Sequence, residues 1–302
     1  KANALSHSEI LDCIDQISEA GCFDLTFTGG EILLHPHLLD FVKRAREHHL
    51  SVRLKSNGSL FNEAKLKSLD ELGVCLLDLS LHGAVASTHD RFTQTPGSFD
   101  AMLQNARLAK HLGWRLSFSL SVSKNNHLEA EAMLALAKSF DASVTIDHNI
   151  TGRYDGTKNS LDWRLEPEAL KTIYQGSLAQ FLSPPVFSEN RLMQCPCAKG
   201  KCAISSTGDV YPCIGAPIPS GNIREQSFAD IWQNSPVLNR IRNLKHEDFS
   251  SCQGCDLRPY CQRSSGAVYA NTGDYTAAEP WVCQEAAVLK EVHESRTKDK
   301  SP

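Results

Sequence analysis

The chain has 302 residues, 41% hydrophobic and 22% charged, enough apolar material for one large domain and a smaller one. Its formal net charge of −4 gives no electrostatic reason to expect nucleic acid or an anionic membrane as a partner. No apolar run is long enough to cross a bilayer and no secretory signal pattern opens the chain, so a cytoplasmic location is expected.

In residues 8–19, Ile10, Ile14 and Ile17 recur at helical spacing, which predicts a helix capped by Ser8. A short apolar run at 24–28 reads as a strand, and 37–48 as the helix after it. The alternation continues with strands at 51–55, 76–81, 115–122 and 143–147, and with helices at 62–72, 98–112 and 127–139. Each strand is brief and rich in Leu, Val, Ile, Phe and Thr, as expected of strands covered on both faces. Strands alternating with helices imply a parallel sheet joined by right-handed crossovers. Five such units cannot close an eight-stranded barrel, so an open partial barrel is expected over residues 1–150.

The rhythm stops at residues 151–193. This stretch holds Asp155-Gly156, Ser183-Pro184-Pro185 and one helical segment near 166–181, and reads as a bridge between domains. Residues 194–285 are dense in Gly, Pro, Ser and Cys and need a staple to fold, for which metal is suited. Residues 286–302 read as a C-terminal tail, a helix from about Gln284 that frays into a disordered end at 296–302.

Active-site residues of parallel α/β folds gather at the C-terminal ends of strands. There the first predicted strand carries Gly29-Gly30-Glu31. Paired glycines let a ligand approach the backbone, and Glu31 is a carboxylate suited to a cationic amine. Small polar residues recur at the later strand ends: Ser56-Asn57-Gly58, then Ser80-Leu81-His82-Gly83, then Ser123 and Asn126. Each alone reads as a turn or cap residue, but in succession they line one pocket for a polar ligand.

Of eleven cysteines, Cys13, Cys22 and Cys75 lie in the first half and read as buried small hydrophobes. The other eight, Cys195, Cys197, Cys202, Cys213, Cys252, Cys255, Cys261 and Cys283, fall in the last third. A disulfide scaffold fits poorly with a large α/β pattern and no export signal, whereas thiols clustered at short spacings in a reducing cytosol hold metal. Cys252-x2-Cys255-x5-Cys261 lets several thiolates converge, and spacing alone admits either structural zinc or an iron–sulfur cluster. His35, His37, His48 and His49 read as helix-end and loop residues, and none of the four is assigned a ligand role.

Leu25-Thr26-Phe27-Thr28-Gly29-Gly30-Glu31, Lys55-Ser56-Asn57-Gly58 and Asp78-Leu79-Ser80-Leu81-His82-Gly83 resemble the second, third and fourth strand ends of radical S-adenosylmethionine (SAM) enzymes. The resemblance implies a (βα)6 partial TIM-type barrel whose first strand is missing here, and Ile32 stands where that family most often has proline. It places Gly29, Gly30 and Glu31 at the amino group of SAM, and Asn57, Ser80 and Asn126 at its carboxylate, ribose and adenine. The family's reducing cluster sits on a C-x3-C-x2-C triplet, which the sequence lacks. Either the chain is truncated, which the missing first strand favours, or it is a degenerate homologue; in both cases it is expected not to cleave SAM as it stands.

The C-terminal cysteines resemble the SPASM domain of radical enzymes that modify peptides and proteins: an early cysteine, Gly208-x4-Cys213, the Cys252–Cys261 set, then distant Cys283, with Gly221-Asn222-Ile223-Arg224, Phe228 and Ile231-Trp232 between. This implies 4Fe-4S clusters, one on Cys252, Cys255, Cys261 and Cys283, another on Cys202 and Cys213 with Cys195 or Cys197. The second cluster's usual fourth cysteine is replaced near Ser264 and Ser265, so either Cys195 and Cys197 both bind or an iron stays open. The two resemblances together imply an α/β maturase with a small cysteine-rich iron–sulfur domain. It would generate a 5′-deoxyadenosyl radical from SAM, modify a peptide or protein, and draw electrons from a donor such as ferredoxin or flavodoxin. A radical SAM enzyme of cofactor biosynthesis and a non-catalytic scaffold binding zinc or a peptide are the alternatives.

Overall fold

The computed structural model describes residues 3–181 and 196–298, so Cys195, Ser183-Pro184-Pro185 and the last four residues lie outside it. Two compact units divide the chain, one of Leu5–His148 and one of Asn149–Pro302 with the first four residues.

The first unit opens with α1 (His7–Glu19). Its cap is Ser6 rather than the expected Ser8: the Ser6 hydroxyl accepts from Glu9 N–H, and the Glu9 carboxylate accepts from Ser6 N–H. There follow β1 (Asp24–Phe27), α2 (Leu38–Glu47), β2 (Ser51–Ser56), α3 (Glu63–Glu71), β3 (Leu76–Leu81), α4 (Ala86–Thr93), α5 (Ser98–His111), β4 (Arg115–Ser121), α6 (Ala130–Ser139) and β5 (Ser143–Asp147). The strands form one parallel sheet in chain order, β1 to β5, as the alternation predicts. Helix α4 is absent from the sequence reading because its buried residues are Thr88 and His89, which give no apolar stripe.

The two faces of this sheet differ, contrary to the expectation of strands apolar on both. Leu54, Leu77, Leu79, Leu81, Phe118 and Leu120 share one face and are fully buried. That face meets the helices: a Cβ on Gly58 would touch Leu79 and Met102 of α5 together. The register brings Lys55, Asp78, Ser80, Ser117, Ser119 and Thr145 to the other face. A parallel sheet with a polar face is the arrangement of a barrel wall whose interior receives polar ligands.

In the second unit, α7 (Pro167–Gln175) packs along α11 (Pro280–Lys298). Tyr174 donates to Glu285 at 2.6 Å, Trp281 Nε1 to the carbonyl of Leu165 at 3.0 Å, and buried Arg164 to buried Glu279 at 2.6 Å. The described part of 151–193, expected as a bridge, therefore belongs to this unit's packed core. The helix expected from about Gln284 is present as the body of α11, which runs to Lys298 and buries Ala286, Leu289 and Val292. Between them lie the hairpin β6 (Ala203–Ile204) and β7 (Val210–Tyr211), then α8 (Phe228–Asn234), α9 (Pro236–Asn243) and α10 (Ser265–Thr272). Gly208, at φ +89, makes the hairpin turn. Asp209 accepts there from Thr207 and Asn222, and these hydrogen bonds hold its carboxyl below the usual carboxylate range. No helix of the described residues is long and apolar enough to cross a membrane.

Candidate cofactor and cluster sites

β1 leads into Gly29-Gly30, where Gly29 takes φ +142, a conformation that favours glycine. A Cβ on either glycine would meet no heavy atom within 4 Å, so the backbone here faces open space. Glu31 follows and is held from two elements. Its carboxylate accepts from Leu33 N–H at 3.1 Å, from Asn57 N–H at 3.0 Å, and from the Ser56 hydroxyl, 2.8 and 2.9 Å from its two oxygens. Three donors leave part of the carboxylate's accepting capacity, roughly four lone-pair sites in all, for a ligand ammonium.

The other expected SAM contacts divide. Asn57 stands beside Glu31, but through its backbone N–H; its side-chain oxygen accepts from Ser59 N–H and hydroxyl. Ser80 is half-buried on the polar sheet face opposite Ser119. Asn126 is buried and donates to the carbonyls of His82 and Ser121, both at 2.8 Å, while its oxygen accepts from Ser123 N–H at 2.7 Å. It ties the end of β4 to the end of β3.

Two features went unnoticed in the sequence. Ser56 looked like a turn residue, yet it is the hydroxyl that orients Glu31. On the polar face, Lys55 Nζ lies 3.1 Å from Ser119 Oγ and 3.6 Å from Asp78 Oδ2, and Ser119 donates to Asp78 at 2.9 Å. A lysine and an aspartate inside otherwise apolar strands were the available signal. Nearby, His82 stacks on Phe92 at 4.1 Å, and burial, reinforced by His89, pulls its imidazole down to about 4.

In the second unit, Cys252, Cys255, Cys261 and Cys283 face one another. Burial raises the Cys261 thiol, and Cys283 and Cys252 raise it further; burial likewise raises Cys283, helped by Cys252 and Cys255. Tetrahedral zinc, with Zn–S of about 2.3 Å, needs its sulfurs about 3.8 Å apart. Among the described residues, the three ligand atoms of His, Cys, Asp or Glu found within 4.8 Å of one another belong to His7, His37 and Asp40, not to cysteines. No three of these thiols stand at that spacing, and four thiolates are a donor set that either zinc or a four-iron cluster takes.

Cys197 and Cys213 are both buried with their sulfurs 3.0 Å apart, and Cys202 is half-buried. The N–H of Ala198 donates to the carbonyl of Pro212, which joins the two segments. Ser264 caps α10 by accepting from Ala267 N–H. Ser265 is wholly buried and its hydroxyl has no hydrogen-bond partner. A Cβ on the next residue, Gly266, would come within 2.9 Å of the carbonyl of Gly215, so α10 begins directly against the loop after Cys213. An orphaned buried hydroxyl at the start of the helix that meets the Cys213 loop fits a site that a cluster completes. Cys13 is buried as expected, whereas Cys22 is half-buried and Cys75 is exposed at the edge of β3.

Comparison with known proteins agrees with this geometry. The model of the radical SAM superfamily matches residues 1–137, and that of the SPASM iron–sulfur cluster-binding domain matches residues 195–256. The chain is 28% identical to an AdoMet-dependent heme synthase of Methanosarcina barkeri, over 93% of this chain and 88% of that one. It is 24% identical to a PqqA peptide cyclase of Granulibacter bethesdensis, over 91% and 78%. Among solved structures, anSMEcpe with bound AdoMet and a peptide superposes with a TM-score of 0.70 at 17% identity, covering 98% of this chain and 90% of that one. SuiB of Streptococcus suis bound to S-adenosylmethionine gives a TM-score of 0.70 at 14% identity, over 93% and 70%. These two show the shared fold, a TIM-type partial barrel followed by a cysteine-rich domain. The chain belongs to the radical SAM superfamily and carries a SPASM domain.

Proposed function

We propose that this protein holds SAM at the C-terminal ends of its strands and iron–sulfur clusters on its C-terminal cysteines, in the service of hydrogen abstraction from an unactivated carbon of a peptide or protein. The observation that carries this reading is the Glu31 carboxylate, fixed by Ser56 and Asn57 beside two open glycines. SAM, when bound and given an electron, supplies the radical chemistry. The chain's own part is to bind and orient. Glu31 meets the amino group, the Gly29–Gly30 backbone lets the cofactor approach, and Asn126 keeps the His82 loop in place. Lys55, steadied by Asp78 and Ser119, presents a cation on the polar face for an anionic group.

Cys252, Cys255, Cys261 and Cys283 would hold one auxiliary cluster, and Cys202 and Cys213, with Cys195 or Cys197, the other, each drawing electrons from a donor such as ferredoxin or flavodoxin. The 302 residues contain no C-x3-C-x2-C triplet, so nothing in them fits the cluster that would reduce SAM. These residues alone are therefore expected to bind SAM and to leave it intact under strong reductant.

Equilibrium dialysis with labelled SAM tests the site. Glu31→Gln removes a charge-assisted hydrogen bond worth roughly 1.5–3 kcal/mol, so affinity should fall about tenfold or more. Equal binding by wild type and variant would contradict it. The peptide reading draws support from the PqqA peptide cyclases and from SuiB, solved with its precursor peptide SuiA. A second reading, a small-molecule cofactor precursor as substrate, is favoured by the similarity to heme synthases. A saturable shift in a porphyrin's absorption on titration with the protein favours the second reading, and no shift favours the first.

A further inference from the structure

Three side chains away from the cofactor and cluster sites already stand at metal-ligand spacing. We propose that His7, His37 and Asp40 bind a divalent late first-row cation, such as zinc, between α1 and α2. His7 is the first residue of α1, His37 precedes α2, and Asp40 lies in the first turn of α2. His7 Nε2 is 3.1 Å and His37 Nδ1 is 3.3 Å from the same oxygen, Asp40 Oδ2. All three ligand atoms lie within 4.8 Å of one another.

The spacing is what identifies the site. Zinc held by nitrogen and oxygen ligands at about 2.0–2.2 Å in a tetrahedron sets them about 3.4 Å apart, close to the two distances seen. With no cation, the two imidazoles share one carboxylate oxygen through hydrogen bonds. A cation would take the place of those hydrogen bonds, each neutral imidazole carrying its proton on the other ring nitrogen, and two imidazoles with one carboxylate suit zinc and its neighbours better than calcium or magnesium.

The imidazoles are also held in place by packing. The rings of His7 and His37 lie 4.5 Å apart, and His7 lies 5.5 Å from Phe41. His35 packs on Phe41 at 4.9 Å, and its Nδ1 accepts from the N–H of His37 at 3.3 Å. That bond puts the remaining proton of neutral His35 on Nε2, so His35 buttresses the site and is not a ligand. The three ligands are exposed, 42%, 49% and 54% for His7, His37 and Asp40, which leaves the fourth position to water or an exchangeable ligand. The bound ion would tie α1 to the segment running from Glu31 into α2, a link that His37-x2-Asp40 cannot reveal in sequence because the third ligand lies 33 residues before Asp40.

Cobalt titration of the full chain tests this. Cobalt on nitrogen and oxygen shows visible ligand-field bands alone, whereas any cobalt on cysteine adds thiolate charge-transfer absorption and is counted separately. One cobalt per chain of the first kind is expected, displaced by zinc, with affinity lowered at least tenfold in His7→Ala and in the near-isosteric Asp40→Asn and unchanged in His49→Ala. Circular dichroism of each variant checks that it is folded. Absence of the nitrogen–oxygen signal in folded wild type, or its persistence at full affinity in both folded variants, would overturn the site.

Discussion

The carboxylate of Glu31 accepts hydrogen bonds from Ser56 and from the backbone of Asn57, 25 and 26 positions later in the chain. The residue types Gly-Gly-Glu at a strand end were legible in sequence, because each has a local reason to be there. The part played by Ser56 was not, because it depends on the parallel register that lays β2 beside β1. For Asn126 the strand-end position was legible, but its hydrogen bonds to the carbonyls of His82 and Ser121 were not, because they depend on how β3 and β4 lie side by side. Ser265 makes a prediction at this scale. If its orphaned hydroxyl stands where the cluster of Cys197, Cys202 and Cys213 wants a fourth sulfur, Ser265→Cys should hold iron and sulfide longer against a chelator than wild type. An unchanged rate of iron loss would separate Ser265 from that cluster.

At the scale of elements, the strand positions were read almost to the residue, since short apolar runs between helices leave little choice. Helix starts were harder. Ile10, Ile14 and Ile17 give the helix but not its cap, and only the reciprocal bonds of Ser6 and Glu9 decide between Ser6 and Ser8. Ser6→Ala should therefore lower stability by about 1 kcal/mol in urea unfolding, and Ser8→Ala much less; the reverse order would restore the Ser8 cap.

The β3 end and α4 carry a pH dependence. His82 titrates near 4 when folded, against 6.5 for a free imidazole, and burial lowers His89 too. Between those values the unfolded chain takes up a proton that folded His82 refuses, so stability is whole above pH 6.5 and falls as pH drops towards about 4. Asp15, held low by Arg44 and then His48, acts in the same direction but only below the ordinary carboxylate range. Unfolding free energy measured from pH 7 to 4.5 should thus decline, and His82→Gln should flatten the decline. A variant with the same slope would place the dependence elsewhere.

At the scale of the whole molecule, the barrel was legible because βα alternation is a long-range repeat written in local pattern. The C-terminal unit was less so. Its elements are short, and what joins α7 to α11 is a set of contacts across more than a hundred residues: Tyr174 to Glu285, Trp281 to Leu165, Arg164 to Glu279. No periodicity announces such pairings, so the helical segment near 166–181 and the helix from about Gln284 were legible as elements but not as partners. The cysteines stood out in sequence as candidate metal ligands, and what favours iron–sulfur over zinc is the match of residues 195–256 to an iron–sulfur cluster-binding domain.

That distinction is the central claim, and analysis of iron, acid-labile sulfide and zinc per chain after anaerobic reconstitution tests it most directly. Iron and sulfide in near-equal amounts are predicted, about eight of each for two four-iron clusters, or about four if only the Cys252–Cys283 set is filled. Stoichiometric zinc on the cysteines with no sulfide would contradict the account and leave a zinc-binding scaffold in its place.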